Sequence, residues 1–188
     1  MSDQINKDTI VKHNGIPRLC DIKLLLTDVD GTLTDGGIYY DDTGNEIKKF
    51  CTKDGTGFVC AHAAGIRLIV ITGRECAATM RRMTELKTDM IFQNIKDKAD
   101  FLKKWISENR IAKEELGYIG DDINDLAPMA LCGYIGCPAD ACEEVKQISD
   151  YISPIKGGNG AVRDVIENYL RKAGIWDEVI RSAFGAGI

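Results

Sequence analysis

The chain has 188 residues, 44% of them hydrophobic and 28% charged, with a formal net charge of −5 and a pI near 5.1. That length suits one domain with a real core, and the acidic balance excludes a broad basic field for nucleic acid. Seven cysteines without a CxxC spacing exclude a disulfide framework and read as reduced, cytoplasmic thiols.

In chain order, MSDQINKDTIVKHNGIPR (1–18) carries no apolar leader core, and no later run approaches the ~18 apolar residues of a membrane span, so neither secretion nor insertion is expected. DIKLLLTD (21–28) predicts a strand. GGIYYDDTGNEIKKF (36–50) predicts a projecting hairpin around DDTGN. TGFVCAHAAG (56–65) predicts a helix closed by a glycine, GIRLIVITG (65–73) a strand, RECAATMRRMTELK (74–87) a helix and TDMIFQ (88–93) a strand. DKADFLKKWISENR (97–110) places Phe101, Leu102, Trp105 and Ile106 on one helical face. LGYIGDD (116–122), GYIG (133–136) and DYIS (150–153) predict further strands, with helices over NDLAPMALC (124–132) and GAVRDVIENYLRKAG (160–174). A last helix, GIWDEVIRS, leads into the tail AFGAGI within 175–188.

Continuous rather than alternating apolar runs suit strands buried on both faces. The expected fold is therefore α/β: a three-layer, doubly wound, mostly parallel, Rossmann-like sheet, one domain over 1–188. Cys132, Cys137 and Cys142 recur at the wrong spacing for a zinc knuckle, and His13 and His62 are distant, so these thiols read as small hydrophobes.

Four polar clusters fall at carboxyl ends of predicted strands, where open α/β sheets collect ligands. Asp28 and Asp30 are two residues apart, a spacing that suits a hard, oxygen-loving cation such as Mg²⁺ as well as an ordinary Asp-Gly turn. GDDIND (120–125) adds Asp121, Asp122 and Asp125. A helix cap accounts for one or two of these acids, but five carboxylates at one sheet edge favour a metal site. ITGRE (71–75) offers Thr72, Gly73 and Arg74, either a phosphate cradle or a simple cap. Lys98 opens a helix, where a cation opposes the macrodipole and wants an acidic partner, unless it belongs to a solvated face with Lys96 and Lys103.

The order Asp28-x-Asp30, Thr72, Lys98, Asp121-Asp122-x-x-Asp125 resembles the haloacid dehalogenase superfamily, over roughly residues 20–170. The resemblance implies phosphoryl transfer to Asp28 as nucleophile, with Asp30 as general acid and then base. It implies Mg²⁺ held by Asp28, the Asp30 backbone carbonyl and Asp121, phosphate binding by Thr72, Gly73 and Lys98, and support from Asp122 and Asp125.

Only 41 residues separate Asp30 from Thr72 and 22 separate Lys98 from Asp121, which leaves no room for a cap domain. More closely, TDVDGTLTDGGIYYDDTGNEIKKF, KDGTGF, ITGR, GDDIND and KGGNGAVRDV resemble the capless 3-deoxy-D-manno-octulosonate 8-phosphate phosphatases and their nonulosonate 9-phosphate relatives. That likeness implies a sugar acid phosphate as substrate, a homotetramer with neighbouring subunits completing the sites, and a place in lipopolysaccharide synthesis. It implies substrate contacts at Asp30, at Cys51, Thr52, Lys53, Asp54 and Gly55 on a loop, and at Arg74 and Arg82. Arg74 favours the octulosonate; the hairpin resembles the nonulosonate branch, and Val59 stands where octulosonate phosphatases commonly carry arginine. The tail (183–188) is expected to close a neighbouring site. A phosphoaccepting receiver lacks the second acid and GDDIND, and a non-catalytic domain would not keep every motif acid, so both alternatives rank below the enzyme.

Overall fold

The computed structural model of the chain describes residues 22–185. Strand β1 (Leu24–Thr27) is followed by the hairpin β2 (Tyr39–Tyr40) and β3 (Glu46–Ile47), then α1 (Thr52–Ala63), β4 (Arg67–Ile71), α2 (Ala77–Glu85) and β5 (Met90–Phe92). The second half contains α3 (Lys98–Asn109), β6 (Leu116–Ile119), α4 (Ile123–Met129), β7 (Tyr134–Cys137), α5 (Glu143–Ile148), β8 (Tyr151–Ile152), α6 (Ala161–Lys172) and α7 (Trp176–Phe184).

Six parallel strands lie in the order β5-β4-β1-β6-β7-β8. Their runs are continuously apolar because both faces are covered. Leu25, Leu68 and Val70 pack with Phe58, Met83, Val162 and Val179 from α1, α2, α6 and α7. Leu24, Leu26, Ile69 and Ile71 face the other way, onto Leu102, Trp105, Met129 and Val145 from α3, α4 and α5. Each such side chain, fully buried, contributes about 1.5–3 kcal/mol of transfer free energy. Rigidity at β1 follows, and β1 is the topological switch: the chain winds outward through β4 and β5, then returns to β1's other side for β6. The crevice outside β1's carboxyl end is where such a sheet binds ligands.

The hairpin forms as expected, with Tyr39 opposite Ile47 and Tyr40 opposite Glu46. Asp41 Oδ1 accepts the backbone N–H groups of Thr43 (2.9 Å) and Asn45 (2.8 Å), and an isolated Thr34–Phe50 bridge closes its base. Hydrogen bonds, above all from Asn45, hold the Asp41 carboxyl down at about 2.

Four local expectations differ from the structure. Helix α1 begins at Thr52, so Thr52–Gly55 is its first turn and not a loop. Asp54 and Gly55, expected on a loop, are helical, and buried Asp54 accepts the Arg163 N–H (2.9 Å), tying α1 to α6. Helix α2 is shorter than 74–87, since Gln93 takes the Cys76 N–H (2.9 Å) and holds the preceding residues as a connection. The six-residue α5 was not expected. Ala183 and Phe184 belong to α7 rather than to the tail, whose residues 186–188, like Cys20 and His13, lie outside the described residues. The described cysteines are free, with Cys60, Cys76, Cys132 and Cys137 buried.

Candidate active site

Strand β1 delivers Asp28 to the switch point, its N–H bonded to Ile119 O (2.9 Å). The chain then turns tightly: Thr32, Leu33 and Thr34 all donate their N–H groups to Val29 O. Gly31 sits in this turn at φ +95°, and a Cβ there would lie 2.0 Å from Asp121 Oδ2, so both backbone and space demand glycine. The parallel registers pair Thr27 with Val70 and with Ile119. Continued past the strand ends, they set Thr72 and Asp121 one residue beyond the level of Asp28 on either side.

Lys98 arrives from the first turn of α3, capped by Asp97, whose side chain accepts the Asp100 N–H. It is buried, with Nζ 2.7 Å from Asp28 Oδ1 and 2.8 Å from Asp125 Oδ1. A solvated-face reading of Lys98 is therefore set aside. Asp125, fully buried at 0% exposure, also accepts the Tyr118 hydroxyl (2.8 Å) and the Asp121 N–H (3.1 Å). Thr32 Oγ1 donates to Asp121 Oδ1 (2.8 Å).

Carboxylate oxygens of Asp28, Asp121 and Asp125 thus lie within 4.8 Å of one another. Among the described residues Lys98 is the cation that pairs with this group, too little charge for three acids. Burial first, then repulsion from Asp125, pushes Asp28 up to about 7. Burial and then Asp28 push Asp121 likewise up to about 7. Burial works to lower Lys98, but Asp28 and Asp125 outweigh it, and the net shift is upward. An all-oxygen donor set with surplus negative charge fits a hard divalent cation such as Mg²⁺.

Of the other residues singled out in the sequence, Asp122 is exposed and caps α4 through the Ile123 N–H (2.8 Å), outside the cluster. Thr72 is buried at the end of β4. Its Oγ1 accepts the Arg74 N–H (3.3 Å), and α2 starts only at Ala77, so Thr72 is not that helix's cap. The Gly73 carbonyl accepts from Lys96 Nζ (2.7 Å). Arg74 reaches the hairpin, 2.7 Å from Glu46 Oε2. Arg82 pairs with Glu85 (3.4 Å) and lies beside Gly55 in the first turn of α1. Cys51 is the N-cap residue of that helix, and Thr52 and Lys53 are exposed. Asp54 turns inward, and burial pushes it up to about 6.

Several contributors had no place among the expected site residues. Tyr118 and Thr32 orient Asp125 and Asp121. Asp140 Oδ1 accepts the Gly157 N–H (2.9 Å), and Gly158 donates to Thr32 O (3.2 Å), so the 156–160 loop braces the turn after Asp28. Lys48 contacts Asp30 Oδ1 and lies 3.1 Å from Glu46 Oε1. Strand alternation at Glu46-Ile47-Lys48, which sets acid and lysine on one face, was the available signal for Lys48.

Residues 90–166 match the haloacid dehalogenase-like hydrolase family. The chain is 36% identical to the 3-deoxy-D-manno-octulosonate 8-phosphate phosphatase KdsC of Escherichia coli (strain K12), over 89% of each chain. It is similar to the crystal structure of 3-deoxy-D-manno-octulosonate 8-phosphate phosphatase from Moraxella catarrhalis in complex with magnesium ion, phosphate ion and KDO. That match has a TM-score of 0.81 at 39% identity, covering 87% of this chain and 94% of that one. The cobalt-bound phosphatase structure from Haemophilus influenzae matches with a TM-score of 0.78 at 34% identity, covering 86% and 94%.

Proposed function

The chain belongs to the haloacid dehalogenase-like phosphatases, phosphoric monoester hydrolases closely related to the KDO 8-phosphate phosphatases, and from that premise we propose that it releases phosphate from 3-deoxy-D-manno-octulosonate 8-phosphate. The observation that carries the chemistry is Asp28 at the switch point, held 2.7 Å from buried Lys98 beside Asp121 and Asp125.

In this reading an Asp28 carboxylate oxygen attacks phosphorus; the new O–P bond forms as the bond to the sugar oxygen breaks, and Asp30 gives that oxygen a proton. Water then attacks the aspartyl-phosphate, Asp30 takes its proton, and phosphate leaves with Asp28 regenerated. Thr72, the Gly73 N–H and Lys98 hold the phosphoryl oxygens, where charge accumulates. Asp28 and Asp121 with the Asp30 carbonyl, and Asp125 behind them, would hold Mg²⁺, which supplies charge neutralisation and alignment when bound. Asp122 supports the start of α4.

Substrate choice rests on Arg74 at the rim, whose guanidinium can pair in bidentate fashion with a sugar carboxylate, and on the bound molecules of the Moraxella relative. Arg82 and the first turn of α1, from Cys51 to Gly55, complete that rim. A nonulosonate 9-phosphate is the second reading, favoured by the hairpin segment alone. The exposed Ile38, Tyr39, Tyr40 and Ile47 of the hairpin, with Val59 and Met80, support a homotetramer in which a neighbour covers the open site. With that substrate would go a role in making lipopolysaccharide precursors, and the free cysteines support a cytoplasmic location.

Mg²⁺-dependent phosphate release across a sugar phosphate panel tests this. The expected outcome is kcat/KM on octulosonate 8-phosphate at least ~10-fold above nonulosonate 9-phosphate and further above hexose phosphates, as a paired carboxylate allows. Similar values on hexose phosphates would remove the sugar acid assignment.

A further inference from the structure

Lys48 sits on an otherwise solvent-facing hairpin: Tyr39, Tyr40 and Ile47 are exposed, yet its own side chain is 1% exposed. A lysine on such an element ordinarily leaves its ammonium in water. Here the ammonium contacts Asp30 Oδ1 on one side and Glu46 Oε1 on the other, and Glu46 Oε2 is in turn 2.7 Å from Arg74 Nη2. An unbroken chain of alternating charge runs from the mouth of the site to the hairpin and on to the connection after β4. Glu46 and Arg74 fix where the ammonium stands, and the ammonium fixes the carboxyl.

Asp30 needs such a partner. The tight turn after Val29 sets its backbone, but its side chain is 27% exposed and, left unpaired, would rotate into solvent. Among the described residues Lys48 is the one side chain that makes a hydrogen bond or ion pair with the Asp30 carboxyl. With Oδ1 occupied by the ammonium, Oδ2 remains for the proton that goes to the leaving oxygen and, in the second half-reaction, returns from water.

We propose that Lys48 is a positioning residue for the reaction, which holds the Asp30 carboxyl by one oxygen and so aims the other at the departing group. This rests on the reading of Asp30 as acid and base. The hairpin thereby acts on the chemistry of its own chain, in addition to offering an apolar surface.

The test compares kcat/KM for phenyl phosphate and 4-nitrophenyl phosphate at saturating Mg²⁺ in the wild type, Asp30→Asn and Lys48→Met. The two esters share a shape and carry no sugar, but nitrophenolate leaves without a proton far more readily than phenolate. Because each ratio is taken within one protein, it does not depend on the fraction folded or on sugar contacts. Asp30→Asn is expected to widen the nitrophenyl-to-phenyl ratio by about 10-fold or more, and Lys48→Met to widen it in the same direction by at least about 5-fold, within the range general acid catalysis supplies. A widened ratio in Asp30→Asn with a wild-type ratio in Lys48→Met would overturn the inference. An unchanged ratio in Asp30→Asn would instead overturn the acid assignment on which it rests.

Discussion

Asp28, buried, and Asp121, partly buried, are side by side and short of positive charge. Burial, with Asp125 repelling Asp28 and Asp28 repelling Asp121, pushes both carboxyls from the ordinary 3.8 up to about 7 in the metal-free fold. The folded chain therefore binds protons more tightly than the unfolded chain between about pH 4 and pH 7, and metal-free stability falls as pH rises through that window. A divalent cation competes with those protons, so its stabilisation grows over the same range. Thermal melts with and without ~10 mM Mg²⁺ are expected to show a Tm gain of about 4 °C or more at pH 8 and about 1 °C or less at pH 5. Equal gains at both pH values would contradict the carboxylate site. At this scale much of the site was legible in the sequence: Asp28, Lys98 and Asp121 stand at predicted strand and helix ends, and the fold brings them together. Asp125, whose position in GDDIND suggests only support, lies at the centre of the buried hydrogen bonds. For Lys48 the alternation that sets it on one face with Glu46 was a local signal, but its contact with Asp30 depends on where the hairpin folds back, which the sequence does not encode locally.

Strands were the most legible elements, since burial on both faces writes itself as runs such as LLLT and RLIVI. The hairpin was legible from its turn residues. Helix α1 starts four residues before the sequence signal, because Asp54-Gly55 has turn composition while its helical state is held by the tertiary bond to Arg163. Helix α5 was missed because six residues are too few to show a period. The hairpin also carries an expectation of its own: its turn rests on Asp41, half-exposed and outside both core clusters. Asp41→Ala should leave Tm within about 2 °C of wild type, as surface changes usually do. Turnover should nevertheless fall about two- to tenfold, because the loosened hairpin holds Lys48 and Arg74 less firmly. A melt and a steady-state assay on the same preparation check both halves; unchanged turnover would detach the hairpin from catalysis.

At the scale of the molecule, a chain of net charge −5 supplies positive charge by local placement, setting Lys98 inside the acidic cluster, Lys48 on Asp30 and Arg74 on the hairpin's Glu46. The sheet makes this possible. Winding reverses at β1, so loops from both halves of the chain converge on the residue that ends it, and Thr72 and Asp121 flank Asp28 from the two neighbouring strands. None of the described helices is long and apolar enough to cross a membrane. The proposed mechanism turns on Asp28 as the group that attacks phosphorus, and the most direct measurement is Mg²⁺-dependent phosphate release by Asp28→Asn, with its fold verified by melting. Loss of turnover by at least about 10⁴-fold is expected for a missing nucleophile; turnover within about tenfold of wild type would contradict the assignment.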